Sequence, residues 1–63
     1  MVLDNIRRIS KERGFTLAEV CRRSDVEYDT LKKWNKVMPN TENLIRVADV
    51  LGTTLDELIK EPA

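Results

Sequence analysis

The segment of residues 17–36 constrains the fold more than any other part of the chain. It holds two stretches in which apolar residues recur at helical spacing, and only the three residues 24–26 separate them. So short a connection forces the two helices to cross steeply and to share one small core. The residues predicted to fill this core are Val20, Val26, Leu31 and Trp34, with the small side chain of Cys21 at the closest approach.

Helix start and stop signals predict the first two helices. The first covers residues 3–13, which show helical spacing of apolar residues, and Gly14 stands at the usual C-cap position. The second covers residues 17–23 and begins at a capping box, in which Thr16 and Glu19 satisfy each other's backbone N–H groups. Both helices therefore have sequence-encoded ends.

The third and fourth helices are bounded in the same way. The third is predicted over about Glu27–Lys36 and ends before Pro39, because proline disfavours helical geometry in the residue that precedes it. The fourth covers residues 41–51, with Asn40 as its N-cap and Gly52 as its C-cap. Leu44, Val47, Ala48 and Leu51 form its predicted buried stripe.

A fifth helix closes the pattern. Thr54 and Glu57 repeat the capping-box spacing, and Leu55, Leu58 and Ile59 are predicted to face the core. No stretch alternates with a period of two for long enough to predict a strand. The fold class predicted is all-α, a compact five-helix domain that occupies residues 1–63 as a single unit.

The charges are balanced overall but unevenly distributed. Residues 1–36 carry nine Lys/Arg against six Asp/Glu, whereas residues 37–63 carry two against five. This asymmetry allows a basic face on a chain of zero net charge. It falls short of the strongly basic composition typical of a strong DNA binder.

Several function classes are excluded by the residue inventory. The chain has one cysteine, Cys21, and no histidine, so an internal disulfide and a Cys/His metal site are both ruled out. Without histidine or a glycine-rich phosphate loop, no catalytic residue and no cofactor are predicted. No apolar run approaches the ~20 residues of a membrane span, which predicts a soluble, cytoplasmic protein.

The complete pattern resembles the helix-turn-helix proteins of the Cro and lambda-repressor superfamily, also called Xre-type regulators. The resemblance extends over "RISKERGFTLAEVCRRSDV", the third helix, and "MPNTENLIRVADVLGTTLDEL". The last stretch, with its leucine-glycine turn before a capped "LDEL", is especially similar to the end of such domains. The resemblance implies a transcriptional regulator, a repressor, that binds double-stranded DNA.

The resemblance also implies how DNA would be bound. A homodimer would recognise a two-fold operator, with the third helix of each copy in the major groove and its first residues at the base edges. The N-terminus of the second helix would hold a phosphate through its amides. The implied base contacts are Tyr28, Asp29, Lys32 and Lys33, and the implied phosphate contacts are Thr16, Leu17 and Lys36.

Three departures from the family pattern bear on these expectations. Leu17 stands where many members have a phosphate-binding glutamine, so only its backbone amide is available. Asp25 stands where most members have a left-handed glycine, at a cost of roughly 1 kcal/mol. Ser10 and Asn35 replace a common arginine–glutamate pair, and a neutral hydrogen bond between them is the expected substitute.

The acidic start of the third helix, Glu27 and Asp29, requires an explanation in a DNA-binding helix. Negative charge is stabilising near a helix N-terminus, where the dipole is positive. Asp29 could also accept a hydrogen bond from a cytosine amino group. These acids are therefore expected to lower non-specific affinity and to sharpen discrimination between bases.

Two alternatives to a complete DNA-binding repressor stay open at this level. The zero net charge and Leu17 favour a protein-interaction module of the same fold, antitoxin-like or sensor-coupled, with weak or no affinity for DNA. The chain could also be the N-terminal piece of a larger regulator.

Overall fold

A computed structural model describes residues 2–61, and over this range the chain is all-helical, as predicted. Five α-helices form in the expected order, with a 3₁₀ helix directly after the third. Within residues 2–61 no helix has the length and apolar character needed to cross a membrane. The elements are α1 Val2–Arg13, α2 Leu17–Ser24, α3 Tyr28–Lys32, the 3₁₀ helix Lys33–Asn35, α4 Thr41–Leu51 and α5 Leu55–Ile59.

One hydrophobic core joins all of these elements. It takes residues from every helix, and the molecule measures only 29 × 23 × 16 Å. The core residues predicted from the 17–36 segment are all buried, namely Val20, Cys21, Val26, Leu31 and Trp34. The predicted stripe of α4 is likewise buried. On α5, however, only Leu58 is fully buried; Leu55 is half-buried and Ile59 is 42% exposed, so the prediction that Ile59 faces the core is wrong.

The helix caps follow the sequence closely. The Thr16 hydroxyl accepts a hydrogen bond from the Glu19 N–H at 3.1 Å, and the Glu19 carboxylate accepts one from the Thr16 N–H at 3.2 Å. The Asn40 side chain accepts from the Asn43 N–H at 2.8 Å to start α4. Gly52 ends α4 with a positive φ of 67°, which a residue without Cβ adopts at no steric cost.

The cap of α5 is simpler than predicted. The Thr54 hydroxyl accepts a hydrogen bond from the Glu57 N–H at 3.2 Å. The Glu57 carboxylate does not complete a capping box and instead lies 2.9 Å from the Lys60 ammonium. This contact also lowers the pKa of the Glu57 carboxyl. The ion pair competes for the carboxylate that the capping box requires.

The turn between α2 and α3 has the left-handed geometry expected for it. Asp25 adopts φ 60° and ψ 36°, the sole positive φ of a non-glycine residue in the described part of the chain. Its N–H donates to the Cys21 carbonyl and closes α2. An aspartate is tolerated in this conformation more readily than most residues, but glycine is favoured over it.

Asp25→Gly is therefore expected to raise the free energy of unfolding by up to about 1 kcal/mol. The gain is partly offset because glycine has more freedom in the unfolded chain. Urea denaturation followed by circular dichroism measures the change. Asp25→Ala is the matched control and should destabilise, since alanine keeps the Cβ and lacks the polar side chain. Equal stability of both variants would contradict the assignment of strain to this position.

The third helix is shorter than predicted. It was expected to run over about Glu27–Lys36, but regular α-helix ends at Lys32 and a 3₁₀ turn follows. Residues three apart lie on the same side of a 3₁₀ helix, so Leu31 and Trp34 can both point into the core. They are 0% and 2% exposed.

Asn5 connects the two ends of the chain. Its side-chain amide donates hydrogen bonds of 2.8 Å to the carbonyls of Leu58 and Lys60, at the C-terminal end of α5. These carbonyls lie where a helix leaves acceptors unsatisfied. The side chain is buried, with 5% of its surface exposed. A polar residue among the apolar positions of α1 thus fixes the last helix in place.

The expected hydrogen bond between Ser10 and Asn35 is not formed. Asn35 is exposed, whereas Ser10 is 2% exposed and its Oγ is the buried side-chain atom that lacks a hydrogen-bond partner within residues 2–61. The 3₁₀ geometry of residues 33–35 changes the direction of Asn35 relative to an ideal α-helix. The prediction that a Ser10–Asn35 hydrogen bond replaces the ion pair is therefore wrong.

Candidate nucleic-acid interface

The exposed side of α3 carries a tyrosine and a lysine in direct contact. Tyr28 begins the helix and is 46% exposed. The chain has only three aromatic residues, so few are available for the core, and yet this one lies at the surface. The Lys32 ammonium lies 5.6 Å from the centroid of the Tyr28 ring. This geometry is a cation–π contact, worth about 0.5–1 kcal/mol at an exposed site. Tyr28 and Lys32 together form a polar ridge on the exposed side of α3.

Leu31 fixes this ridge relative to the rest of the protein. It is fully buried, while its neighbours Lys32 and Lys33 are exposed. A helix of only five residues is too short to be stable by itself. The position of α3 therefore depends on its attachment to the core through Leu31 and through Trp34 immediately beyond it.

The two acids lie at the start of α3, on either side of Tyr28. Glu27 is the N-cap residue, but its side chain makes no capping hydrogen bond. Asp29 lies in the first turn and is exposed. Side chains of a helix lean toward its N-terminus, and the Lys32 ammonium accordingly lies back over the Tyr28 ring. The positive charge is thus held in the turn that contains the acids.

The lysines beyond α3 do not continue the ridge. In a continuous α-helix, Tyr28, Lys32 and Lys36 would lie on one face at intervals of four residues. The 3₁₀ turn at residues 33–35 raises the rotation per residue from about 100° to about 120° and breaks this alignment. Lys36 instead lies beside Trp34 and Val37, at the edge of an apolar groove.

The N-terminus of α2 carries the predicted phosphate-binding residues, Thr16 and Leu17. The Thr16 N–H is already engaged by the Glu19 carboxylate, and the Thr16 hydroxyl lies 3.2 Å from the same Glu19 oxygen. Leu17 is half-buried and its side chain packs against the core. The first-turn N–H groups of Leu17 and Ala18 have no acceptor within an α-helix and remain the available donors.

Glu19 is ionised at neutral pH, and the pKa of its carboxyl is lower than that of an ordinary glutamate. Hydrogen bonds from the Thr16 backbone and then from its hydroxyl lower the pKa of this exposed carboxyl. A lowered pKa means that the stabilisation is complete above the value of the unfolded chain and is lost as pH falls through the folded value. The capping box was visible in the sequence, and it already indicated that the Glu19 carboxylate competes with a phosphate for the Thr16 N–H.

The other cations are distributed over several helices. Arg8 pairs with Glu12 at 3.2 Å on α1, and Arg46 pairs with Glu42 at 2.7 Å on α4. The Arg23 guanidinium lies 5.1 Å from the centroid of the Phe15 ring. Exposed pairs of this kind contribute little to stability. Arg7, Lys11, Arg22 and Lys33 are exposed.

Cys21 and Trp34 are core residues, as predicted. Cys21 is 7% exposed, and burial raises the pKa of its thiol, which disfavours the reactive thiolate. Trp34 is 2% exposed and therefore does not offer a stacking surface for a base. In residues 2–61 no three His, Cys, Asp or Glu side chains come together in an arrangement that could hold a metal ion.

Comparison with known families gives one match. A family model described as a Cro/C1-type helix-turn-helix DNA-binding domain matches residues 5–62. Searches of curated proteins and of solved structures gave no significant match. The matched range includes all of α2, the left-handed turn and α3.

Proposed function

Since the chain belongs to the Cro/C1-type helix-turn-helix family of DNA-binding domains, we propose that it is a sequence-specific transcriptional repressor. In this proposal a dimer binds a two-fold operator and blocks access to a promoter. Each α3 enters the major groove, and its first residues meet the base edges. The observation that carries the proposal is the exposed Tyr28–Lys32 ridge, held on the core by Leu31.

The proposed base contacts are Tyr28, Asp29, Lys32 and Lys33. A lysine ammonium can donate to the O6 and N7 acceptors of guanine, and a carboxylate can accept from the N4 amino group of cytosine. Lys32 and Asp29 therefore match the two bases of one G·C pair or of neighbouring pairs. The Tyr28 ring supports the lysine and offers an apolar edge to a thymine methyl group.

The proposed phosphate contacts are Thr16, Leu17 and Lys36. The amides at the start of α2 supply the donors there, and the helix dipole favours the anion. Glu19 opposes this contact, because its charge lies within hydrogen-bond distance of Thr16. Phosphate binding at α2 therefore competes with the capping box.

A salt titration tests the function directly. Fluorescence polarisation with random and selected duplexes should give affinities that fall linearly with salt on logarithmic axes, with a slope near −0.9 for each phosphate neutralised. Selection of bound sites from a random pool should yield a two-fold symmetric sequence. Failure to bind any duplex at low salt would favour the alternative, a protein-interaction module, for which the zero net charge and the apolar Leu17 speak.

Glu19→Gln should strengthen binding to random DNA by about 2–5-fold, because one negative charge near the phosphate is removed. Glutamine can still complete a capping box, so the helix itself should be preserved. Asp56→Asn is the matched control: it makes the same charge change on α5. If the two variants gain affinity equally, net charge alone explains the effect and the phosphate site at α2 is disproved.

Asp29→Asn should have a different signature. Affinity for random DNA should rise, since an acid that repels phosphate is lost, and the preference at one base pair should relax. Site selection with the variant and the wild type measures both effects. A variant with unchanged affinity and preference would leave Asp29 as a charge that only stabilises the start of α3.

A further inference from the structure

Three exposed side chains of different chemistry are neighbours at the start of α3, namely Tyr28, Asp29 and Lys32. Residues three and four apart adjoin each other on a helix surface, so Lys32 is next to both Asp29 and Tyr28. The contact with Tyr28 is formed, because the Lys32 ammonium lies 5.6 Å from the centroid of the Tyr28 ring. We call these three residues the reading cluster.

The charges of the reading cluster are not neutralised by other side chains. Within residues 2–61 the ion pairs lie on α1, on α4 and at the C-terminal end of α5, and none of them includes Asp29 or Lys32. The Tyr28 ring is also accessible, with 46% of the residue exposed. The cluster therefore offers a carboxylate acceptor, an ammonium donor and an aromatic ring at one place on the surface.

The three side chains project in a common direction. Side chains of a helix lean toward its N-terminus, and the position of the Lys32 ammonium over the Tyr28 ring shows this lean. Tyr28 and Asp29 belong to the first turn, so their functional groups project ahead of the helix. A base edge that meets the start of α3 is then within reach of all three groups.

The cluster is partly ordered before any ligand binds. The cation–π contact restrains Lys32 against Tyr28, and the buried Leu31 fixes the backbone between them. Groups that are restrained in advance lose less conformational entropy on binding. Such restraint favours recognition of small differences between bases.

Each group of the cluster selects a different feature of a base pair in the major groove. A carboxylate accepts from the N4 amino group of cytosine, whereas the O4 acceptor of thymine repels it. An ammonium donates to the O6 and N7 acceptors of the paired guanine. An aromatic ring packs favourably on a C5-methyl group, which thymine has and ordinary cytosine lacks. Neither thymine nor cytosine therefore satisfies both the acid and the ring.

The base that satisfies all three groups is 5-methylcytosine. It keeps the N4 amino group, carries a methyl group on the adjacent ring atom and pairs with guanine. We propose that the reading cluster recognises 5-methylcytosine paired with guanine, so that the protein distinguishes methylated from unmethylated operators. Asp29 accepts from the N4 amino group, Tyr28 packs on the methyl group, and Lys32 donates to the guanine. This specificity deepens the proposed function and rests on it, because α3 must meet the base edges.

Polarisation titrations with modified duplexes test the proposal. Selection from a random pool synthesised with 5-methylcytosine supplies the site, and each of its methylated positions is then replaced by cytosine or by thymine paired with adenine. At one position of each half-site, loss of the methyl group should weaken binding by about fourfold. Thymine at that position should weaken it by about tenfold or more, because the acid and the ammonium both lose their partners.

A methyl group outside the half-sites is the control for changes in DNA shape. Its removal from a flanking cytosine of the same duplex should change the affinity by less than about twofold, since no side chain contacts it. A methyl effect of equal size at flanking and selected positions would overturn the proposal, because the effect would then come from the DNA alone.

Substitutions assign the two preferences to separate residues. Tyr28→Ala should bind methylated and unmethylated duplexes with equal affinity and still prefer cytosine to thymine. Asp29→Asn should keep the methyl preference but discriminate less against thymine, because an amide can also donate to the thymine O4. Tyr28→Phe is the matched control and should keep the methyl preference, since it retains the ring. Each result is a ratio of two affinities for one variant, so a loss of folded protein does not alter it.

Equal affinity for the methylated and unmethylated forms at every position would overturn the proposal, as would a methyl preference that survives in Tyr28→Ala. Either result would leave the proposed function intact, because the duplexes would still be bound. A chain that binds neither kind of duplex at low salt would overturn the proposed function together with its methyl specificity.

Discussion

Trp34→Ala is expected to lose about 3–5 kcal/mol of folding stability, because a large buried aromatic side chain is removed from a close-packed core. Trp34 is 2% exposed and belongs to the 3₁₀ helix that connects α3 to the rest of the chain. A protein of 63 residues typically has a free energy of unfolding of about 3–9 kcal/mol. The substitution should therefore remove between about a third and all of the stability.

The measurement is urea denaturation followed by circular dichroism, since the variant lacks the chain's one tryptophan. Ile45→Ala is the control: it also shortens an apolar side chain, but Ile45 is 45% exposed on α4 and the change should be small. Trp34→Phe should fall between the two, because much of the ring volume is kept. A Trp34→Ala variant as stable as Ile45→Ala would mean that Trp34 does not anchor α3.

Lys32→Ala is expected to weaken binding to the selected operator by about 1–3 kcal/mol, or about 5- to 150-fold, if the lysine contacts a base. The same substitution removes the cation–π contact with Tyr28, which contributes little at an exposed site. The free energy of unfolding should consequently change by less than the free energy of operator binding does. Polarisation titrations against the selected site and a scrambled site measure affinity and preference together.

Lys11→Ala is the matched control, because it removes the same charge from an exposed position on α1. A loss that is equal for both duplexes would assign Lys32 to phosphate, since phosphate contacts carry no sequence information. A loss confined to the selected duplex would assign it to a base edge. An affinity that matches that of the Lys11→Ala control would remove Lys32 from the proposed site.

Most ends of the helices could be predicted because their signals are local. Thr16 and Glu19 cap α2, Asn40 caps α4, and Gly52 ends it, as their positions in the sequence indicated. A cap depends on residues three apart, whose geometry is set by the helix itself. The errors at Glu57 and Ser10 have another origin. Glu57 pairs with Lys60 in place of the capping box, and Ser10 lacks the hydrogen-bond partner that was expected for it. The local pattern specifies neither outcome.

The candidate site was predictable in part for the same reason. The position of α3 and the exposure of Tyr28, Lys32 and Lys33 follow from the alternation of apolar and polar residues. The position of Lys36 does not follow from it, because it depends on the 3₁₀ turn at residues 33–35. The exposure of Ile59 likewise depends on how α5 lies against α1.

The sequence by itself determined the five helices, most of their caps and most of the buried positions, and the family resemblance added the left-handed turn at Asp25. These features result from interactions within a few residues and from the separation of apolar and polar faces. The tertiary structure alone decided where α3 stops, how Asn5 fixes α5 across 53 positions of sequence, and that an apolar groove forms beside Lys36 between two distant segments. Such features require contacts between residues far apart in the chain, which local patterns do not encode.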